Sequence, residues 1–418
     1  MPEAIYAKFD DYAGPLPEAP AGDPHAFASR VMPLSVDLTV YENLPDIEAA
    51  WRAFERNADC TVFQTFDWLA TWQRHVGIHN DVRPAIVVGR IDGSDILFIL
   101  PLATRPIGLA RELMWLGSEL CDYNAPLLAP DFSTYQDVRP FGDAWRHITE
   151  RLQENPRLRY DFIRLEKMPA TVGKQKNPML TLGVTLNPSG AYSTQLTGNW
   201  ESFYATKRSA STRSRDRSKR KRLSELGELR LVRPDNATDA LATLDTLIAQ
   251  KSRSFARMGV ANLFARPGYV EFYRALAADP QLGHLVHLSR LDCGPHAAAA
   301  NVGLTFRDRY YHLLASHDDG DMSRFGPGVA HLHDLLGYAI NRGLKIFDFT
   351  IGDERYKLDW CDGAEKLYNH LSIATWRGAF VYAPILAKSW LKRQIKQTPV
   401  LWKAFSRART LYGSLLRR

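Results

Sequence analysis

The period of the apolar positions changes along the chain, and the changes mark its elements. Alternation in "LSVDLTVYENL" predicts a strand, after which Ile47, Trp51 and Phe54 recur at helical spacing in "DIEAAWRAFERNA". "TVFQTFDWLATWQRHVG" puts Phe63, Phe66, Trp68, Leu69 and Trp72 on a second helix, opened around Thr65 to Asp67 and closed by Gly77. "RPAIVVGRIDGSDILFILPLATRP" predicts two strands about a turn at Asp92 and Gly93, and "ARELMWLG" a third. After the loop "SELCDYNAPLLAP", a helix near 138–153 and the strand "YDFIRLEKMP" complete a mixed α/β unit.

From 170 to 190 the chain turns to Gly, Lys, Asn and Pro, the composition of a connection between lobes. The second half then repeats the order of the first. It has helices over "NWESFYATK" and the basic stretch that follows, the strand "LGELRLVRP", helices over 237–256 and 267–278, three strands, a helix from about Gly328 to Arg342 and the strand "LKIFDFT". The order β-α-α-β-β-β-α-β occurs twice, a repeat of topology rather than of residues. A chain of 418 residues is long enough for two cores. The expected class is α/β (α+β), two lobes that each carry a mixed central sheet flanked by helices. The expected divisions are a loose leader over 1–35, an N-terminal lobe over 36–190, a C-terminal lobe over 191–380 and a basic amphipathic helical tail over 381–418.

Charge changes this picture in two places. "KRSASTRSRDRSKRKR", Lys207 to Arg222, sets nine cations against Asp216, and eleven more with no acid lie between Lys366 and Arg418, so the net +7 is carried by two basic patches on an acidic body. Such patches favour anionic partners. The first patch runs into Leu223, Leu226 and Gly227, which predicts a folded helix with a C-cap at Gly227 rather than a free arm. Arg213, Arg217 and Arg220 share one face of it, and Lys219, Leu223 and Leu226 another. The tail mixes its cations with Trp390, Leu391, Trp402 and Phe405, a pattern suited to contact with an anionic membrane surface. The four cysteines form no C-x-x-C pair and fit a reducing compartment. No apolar run approaches the ~20 residues of a membrane span, so the expectation is a cytoplasmic protein, with the tail offering a peripheral contact on the inner membrane face.

The segment from Arg309 to Trp360 carries the chemistry. It reads as a strand, a polar loop, the turn "FGPG", a helix and a strand ending in "GDERYK". A helix entered through Gly326 and Gly328 offers backbone N–H groups and a positive dipole end to an anion. His331 and His333 stand i and i+2 on that helix and point in different directions, so no metal site is expected. No G-x-S-x-G or Walker pattern occurs to support a hydrolase or nucleotidase.

Taken together, "FQTFDWLATW", "LGSELCDYNAPLL", the basic helix before "LGELR", "FGPGVAHLHDLL" and "FDFTIGDERYKLDW" resemble the GNAT acyltransferase superfamily. The resemblance is to its tandem, CelD-type branch, related to the FemAB peptidoglycan-bridge enzymes, and it spans roughly residues 36–380. It implies two GNAT-like lobes, with an acyl donor (acetyl-CoA or another acyl-CoA) held by the second and no metal. Leu313, Leu314, Ala315 and Ser316 would line the pantetheine arm, and Arg324, Gly326, Gly328 and Val329 the phosphates. Pro327 departs from the usual glycine-rich pattern by removing one N–H. Transfer to an amine needs a neutral nucleophile and a protonated leaving group. Asp353 is the first choice of base and Glu354 the alternate, Lys357 pairs Asp353 or meets an anionic substrate, and Tyr356 or Tyr311 protonates the thiolate. Asp122 and Tyr123 would face the inter-lobe cleft and touch substrate. The implied acceptor is an amine of a sugar, lipid or envelope precursor, with exopolysaccharide production the family's association. The rival readings are an aminoacyl-tRNA-dependent transferase, with tRNA as partner, and a non-catalytic ligand-binding module.

Overall fold

The computed structural model describes residues 36–138, 140–384 and 386. The expected leader and residues 387–418 of the expected tail lie outside the described residues.

In chain order the strands are β1 (Val36–Tyr41), β2 (Arg83–Ile91), β3 (Asp95–Ile107), β4 (Ala110–Trp115), β5 (Leu127–Leu128), β6 (Phe162–Pro169), β7 (Thr171–Val172), β8 (Gln175–Lys176) and β9 (Val184–Leu186). They continue as β10 (Ala191–Gln195), β11 (Leu229–Val232), β12 (Val286–Cys293), β13 (His296–Phe306), β14 (Arg309–His317), β15 (Ile346–Ile351), β16 (Ala364–Glu365) and β17 (Leu367–Ile373). The α-helices are α1 (Glu48–Glu55), α2 (Phe66–Trp72), α3 (Phe132–Val138), α4 (Phe141–Glu154), α5 (Trp200–Lys207), α6 (Ala210–Ser224), α7 (Ala237–Met258), α8 (Tyr269–Ala278) and α9 (Pro327–Asn341).

Two mixed sheets form, ordered β1-β2-β3-β4-β6-β17-β9 and β11-β12-β13-β14-β15-β10-β16. Each half lays down an antiparallel run of four strands and then a fifth that joins it in parallel, β6 beside β4 and β15 beside β14. The sixth place is exchanged between halves. Ala191–Gln195, which follows the first half, pairs with β15, and Leu367–Ile373, which follows the second, pairs with β6. Residues 367–373, placed by the expected divisions in the C-terminal lobe, therefore form a strand that completes the first sheet.

Alternate residues of the strands face different cores. Ile86, Val88, Ile99 and Met114 of the first sheet meet Ala300, Val302, Leu304 and Tyr311 of the second through a shared layer of α1, α2, α7 and α8. Trp68 and Phe272 pack edge to face at its centre, with ring centroids 4.9 Å apart. On the outer faces α4 covers the first sheet, and α5 with α9 covers the second.

The basic stretch is a helix, as its hydrophobic punctuation predicts. Ser209 caps α6 by accepting from the Thr212 N–H at 3.2 Å, and Leu223 is buried. Its far end differs from expectation: the C-cap is Glu225 in helical geometry, and Gly227 is small for another reason. A Cβ there would lie 2.6 Å from the Gly294 backbone nitrogen, so the chain crosses the β12–β13 turn in contact with it.

Candidate functional site

Strands β14 and β15 pair only over Arg309–Tyr311 and Ile346–Asp348, and then separate. An ion pair clamps the point of separation. The fully buried Asp348 carboxylate accepts from the Arg309 guanidinium at 2.7 Å, the Tyr123 hydroxyl at 2.8 Å and the Thr350 N–H at 2.8 Å. Beyond it Thr350 takes φ +59°, a left-handed conformation that a β-branched residue holds at a cost of about 1–3 kcal/mol. Three groups fix it there: Asp348 on its N–H, Asp122 on its hydroxyl, and the Lys357 ammonium on its carbonyl at 3.3 Å.

The separated strands enclose a cavity of about 500 Å³. One wall is Leu313, Ala315, Ser316 and His317 of β14, the other Phe349, Thr350 and Ile351 of β15. The mouth is the start of α9. Gly326 turns the chain at φ +65°, Pro327 opens the helix, and Gly328 is the first residue able to offer an N–H. A Cβ on Gly328 would press to 3.3 Å from the His317 ring, so a side chain there would fill the cradle. Basic α6 reaches this turn, with the Lys219 stem 4.0 Å from the place a Gly326 Cβ would take. The Arg220 guanidinium donates to the Ala330 carbonyl at 3.3 Å and pairs with Asp334 at 3.0 Å.

The interior is polar and its charges are perturbed by burial. Lys251 of α7 donates to the Ala315 carbonyl at 3.0 Å, and desolvation lowers its pKa against the pull of Glu354. Lys357, 3% exposed, pairs with Glu354 at 2.9 Å and donates to the Ile351 carbonyl at 3.0 Å. Asp122 enters from the first lobe; desolvation raises its pKa, opposed by Lys167 and by the bond to Thr350. Burial holds His312 and His331 down to about 3, and His331 Nε2 bonds the Ser289 hydroxyl at 3.0 Å. Among the described residues no group of His, Cys, Asp and Glu is placed to hold a metal ion.

Most residues expected at the site meet in this cavity: Leu313, Ala315, Ser316, Gly326, Gly328, Val329, Glu354, Tyr356, Lys357 and Asp122. Five lie off its wall. Asp353 turns back to the inter-lobe connection, accepting from the Gly190 N–H at 3.2 Å and the Tyr192 hydroxyl at 3.4 Å. Tyr311 points from the opposite face of β14 into the shared core, its ring centroid 5.7 Å from that of Phe63. Tyr123 is buried with its hydroxyl on Asp348. Leu314 packs against the shared core, and the Arg324 guanidinium sits over the Phe325 ring at 4.9 Å. Lys357 pairs with Glu354, not with Asp353. Lys251 and Thr350 were not expected. Lys251 did have a signal, since it follows the buried Leu244 and Leu247 on the apolar stripe of its helix.

Residues 210–358 match the family model described as an acetyltransferase (GNAT) domain. No curated protein matches the sequence. Among solved structures, FemX aligns with TM-score 0.55 at 10% identity, covering 84% of this chain and 99% of its own. A tandem GNAT protein from the clavulanic acid biosynthesis pathway aligns with TM-score 0.44 at 12% identity, over 81% of this chain and 98% of its own. The C-terminal domain of a putative lysylphosphatidylglycerol synthetase from Agrobacterium fabrum gives 0.45 at 8%, over 82% and 96%.

Proposed function

We propose that the chain, whose residues 210–358 match the model of a GNAT acetyltransferase domain, is an acyl-CoA-dependent N-acyltransferase. Its acceptor in this reading is an amine of a sugar, lipid or cell-envelope precursor, such as one destined for exopolysaccharide. The observation that carries the reading is the single cavity that joins the gap between β14 and β15, the glycine cradle at the start of α9 and a carboxylate from the other lobe.

A thioester with a long pantetheine arm suits a cleft of this shape. The start of α9 supplies a positive dipole end and the Gly328 N–H for phosphate, and Lys219 adds a cation at the same turn. Pro327 removes one donor, which Lys219 offsets by charge.

At the inner end, transfer needs a neutral amine and a group to take its proton. Asp122 is our choice of base in place of Asp353: it lines the cavity, whereas Asp353 is held at the inter-lobe connection. Burial weakens Asp122 as an acid, which strengthens it as a base. Glu354 is tied to the Lys357 ammonium and is better placed to orient an incoming amine. Tyr356 lines the same wall and is the candidate to return a proton to the leaving thiolate.

Titration calorimetry with acetyl-CoA tests the donor, with saturable binding expected and its loss expected in Gly328→Val. No binding of acetyl-CoA, together with binding of an aminoacyl-tRNA, would replace this reading with the tRNA-dependent one. Binding without turnover on a broad panel of primary amines would favour a ligand-binding module.

A further inference from the structure

A chain of hydrogen bonds crosses the second sheet and ends at the cavity. Asn301 of β13 is fully buried, and one orientation of its amide satisfies every neighbour. In that orientation Oδ1 accepts from the Tyr310 hydroxyl at 2.8 Å and the Gly303 N–H at 3.1 Å, while Nδ2 donates to the Leu314 carbonyl at 3.1 Å and to His312 Nδ1 at 2.8 Å. The single Tyr310 proton is thereby committed to Asn301. The 2.9 Å bond between Tyr310 Oη and His287 Nδ1 must then be donated by His287. His312 accepts at Nδ1, so its neutral ring carries the proton on Nε2. No described residue accepts a hydrogen bond from that Nε2, and the ring lines the cavity.

Every bond in the series His287, Tyr310, Asn301, His312 therefore points the same way, toward the cavity. Aligned bonds polarise one another, which makes the terminal N–H a stronger donor than an isolated imidazole. The surroundings keep it neutral: Lys357 and Lys251 face it from the turn after β15 and from α7, His331 from α9, and the rings of Phe347 and Phe349 pack against it. The charges that bear on the ring, Lys357 and Lys251, both oppose its cationic form. A neutral, fixed donor serves where negative charge develops on a reacting oxygen, because nothing must reorganise as the reaction proceeds.

We propose that His312 Nε2–H donates a hydrogen bond to the reacting carbonyl oxygen of the bound ligand, with Asn301, Tyr310 and His287 as positioning residues that fix its tautomer and direction. The oxygen concerned is that of the thioester if the acyl-transfer reading above holds, and the proposal rests on that reading for the identity of the ligand.

Two measurements test it. In full-length protein labelled with ¹⁵N at histidine, a long-range ¹H–¹⁵N spectrum is expected to show His312, assigned through His312→Leu, as the Nε2–H tautomer without titration from pH 5 to pH 8. An Nδ1–H tautomer, or titration in that range, overturns the aligned chain whatever the protein acts on. Cleavage of acetyl-CoA, followed by thiol release in the presence of a primary-amine panel, is expected to fall in kcat by ~10²-fold in His312→Leu, with CoA affinity unchanged. His312→Gln, which can donate from a similar position, is expected to recover about tenfold of that loss. Asn301→Asp is expected to accept from Nδ1–H, leave Nε2 without its proton at neutral pH and shift activity to acid pH, where the ring becomes protonated. Undiminished cleavage in His312→Leu overturns the proposal and leaves acyl transfer standing. A wild-type protein that neither binds CoA nor cleaves acetyl-CoA overturns acyl transfer, and the tautomer then decides the chain alone.

Discussion

The two lobes carry the same clamp with opposite polarity and part company immediately beyond it. In the first, Glu112 of β4 sits opposite Phe162 and holds Arg164, two residues further along β6, at 2.5 Å. In the second, Arg309 of β14 sits opposite Ile346 and holds Asp348, again two residues along, at 2.7 Å. Both lobes then bulge the fifth strand and force a residue into the left-handed region, Lys167 at +59° and Thr350 at +59°. What fills the gap differs. In the first lobe the Lys167 ammonium donates to the carbonyls of Ser118, Glu119 and Cys121, and Asn124 bonds the strand edge, so the loop after β4 closes the gap on itself. In the second the chain after β14 leaves for the turn into α9, and the gap stays open as the cavity. One lobe is thus a plugged copy of the other, and the plug delivers Asp122 into the open site.

The clamps offer the largest test of this correspondence. Asp348→Ala and Glu112→Ala each leave a partly buried guanidinium without its partner, and each is expected to lose about 3–5 kcal/mol in denaturant unfolding. A loss below about 1 kcal/mol at either position would break the equivalence of the two lobes. Next comes the carboxylate that the plug presents. Asp122→Asn is expected to cut kcat by ~10²-fold, about 2.7 kcal/mol of barrier, without weakening acetyl-CoA binding. The wild-type activity is expected to fall as pH drops through the raised pKa of Asp122, because the base must be unprotonated to act, and that limb is expected to vanish in the variant. An unchanged acid limb in Asp122→Asn would return the role to Glu354. Gly328→Ala crowds His317 and is expected to weaken acetyl-CoA binding by about tenfold, or ~1.4 kcal/mol. Lys167→Met unties the plug from three carbonyls at once; the expected loss is ~1–2 kcal/mol of stability. It also tests whether the plug positions Asp122, through a drop in kcat larger than any change in donor affinity.

Much of this arrangement was legible in the sequence because it is local. The alternation of "LKIFDFT", the glycines at Gly326 and Gly328 and the apolar period of α9 are set by neighbours in the chain, and the repeat of element order followed from them. The place of Asp353 off the cavity wall has a tertiary cause. Asp353 and Glu354 are adjacent in a turn, and only the approach of Gly190 and Tyr192 decides which of them leaves the cavity wall. Asp348 stood in plain view as a carboxylate between Phe347 and Phe349, as Arg164 did between Ile163 and Leu165. A charged residue inside an apolar strand needs a partner, and pairing each with its neighbour two residues off register would have revealed both clamps. Lys251 was legible only in part: its place on the apolar stripe of α7 signals burial, but not whether the ammonium meets a cavity or reaches past the core to water. The sixth strand of each sheet was out of reach for a related reason: Ala191–Gln195 and Leu367–Ile373 are short, and nothing in either says which edge it will join.

That exchange of strands also sets an order of events as the chain emerges from the ribosome. Phe162 finds its antiparallel partner in Ile373, so the first sheet keeps a bare edge until nearly all of the second lobe has been made. An exposed edge is a template for pairing with another chain. Nascent chains stopped before residue 367 are therefore the species that should recruit chaperones or aggregate, and neither half can be expressed alone with its sheet complete.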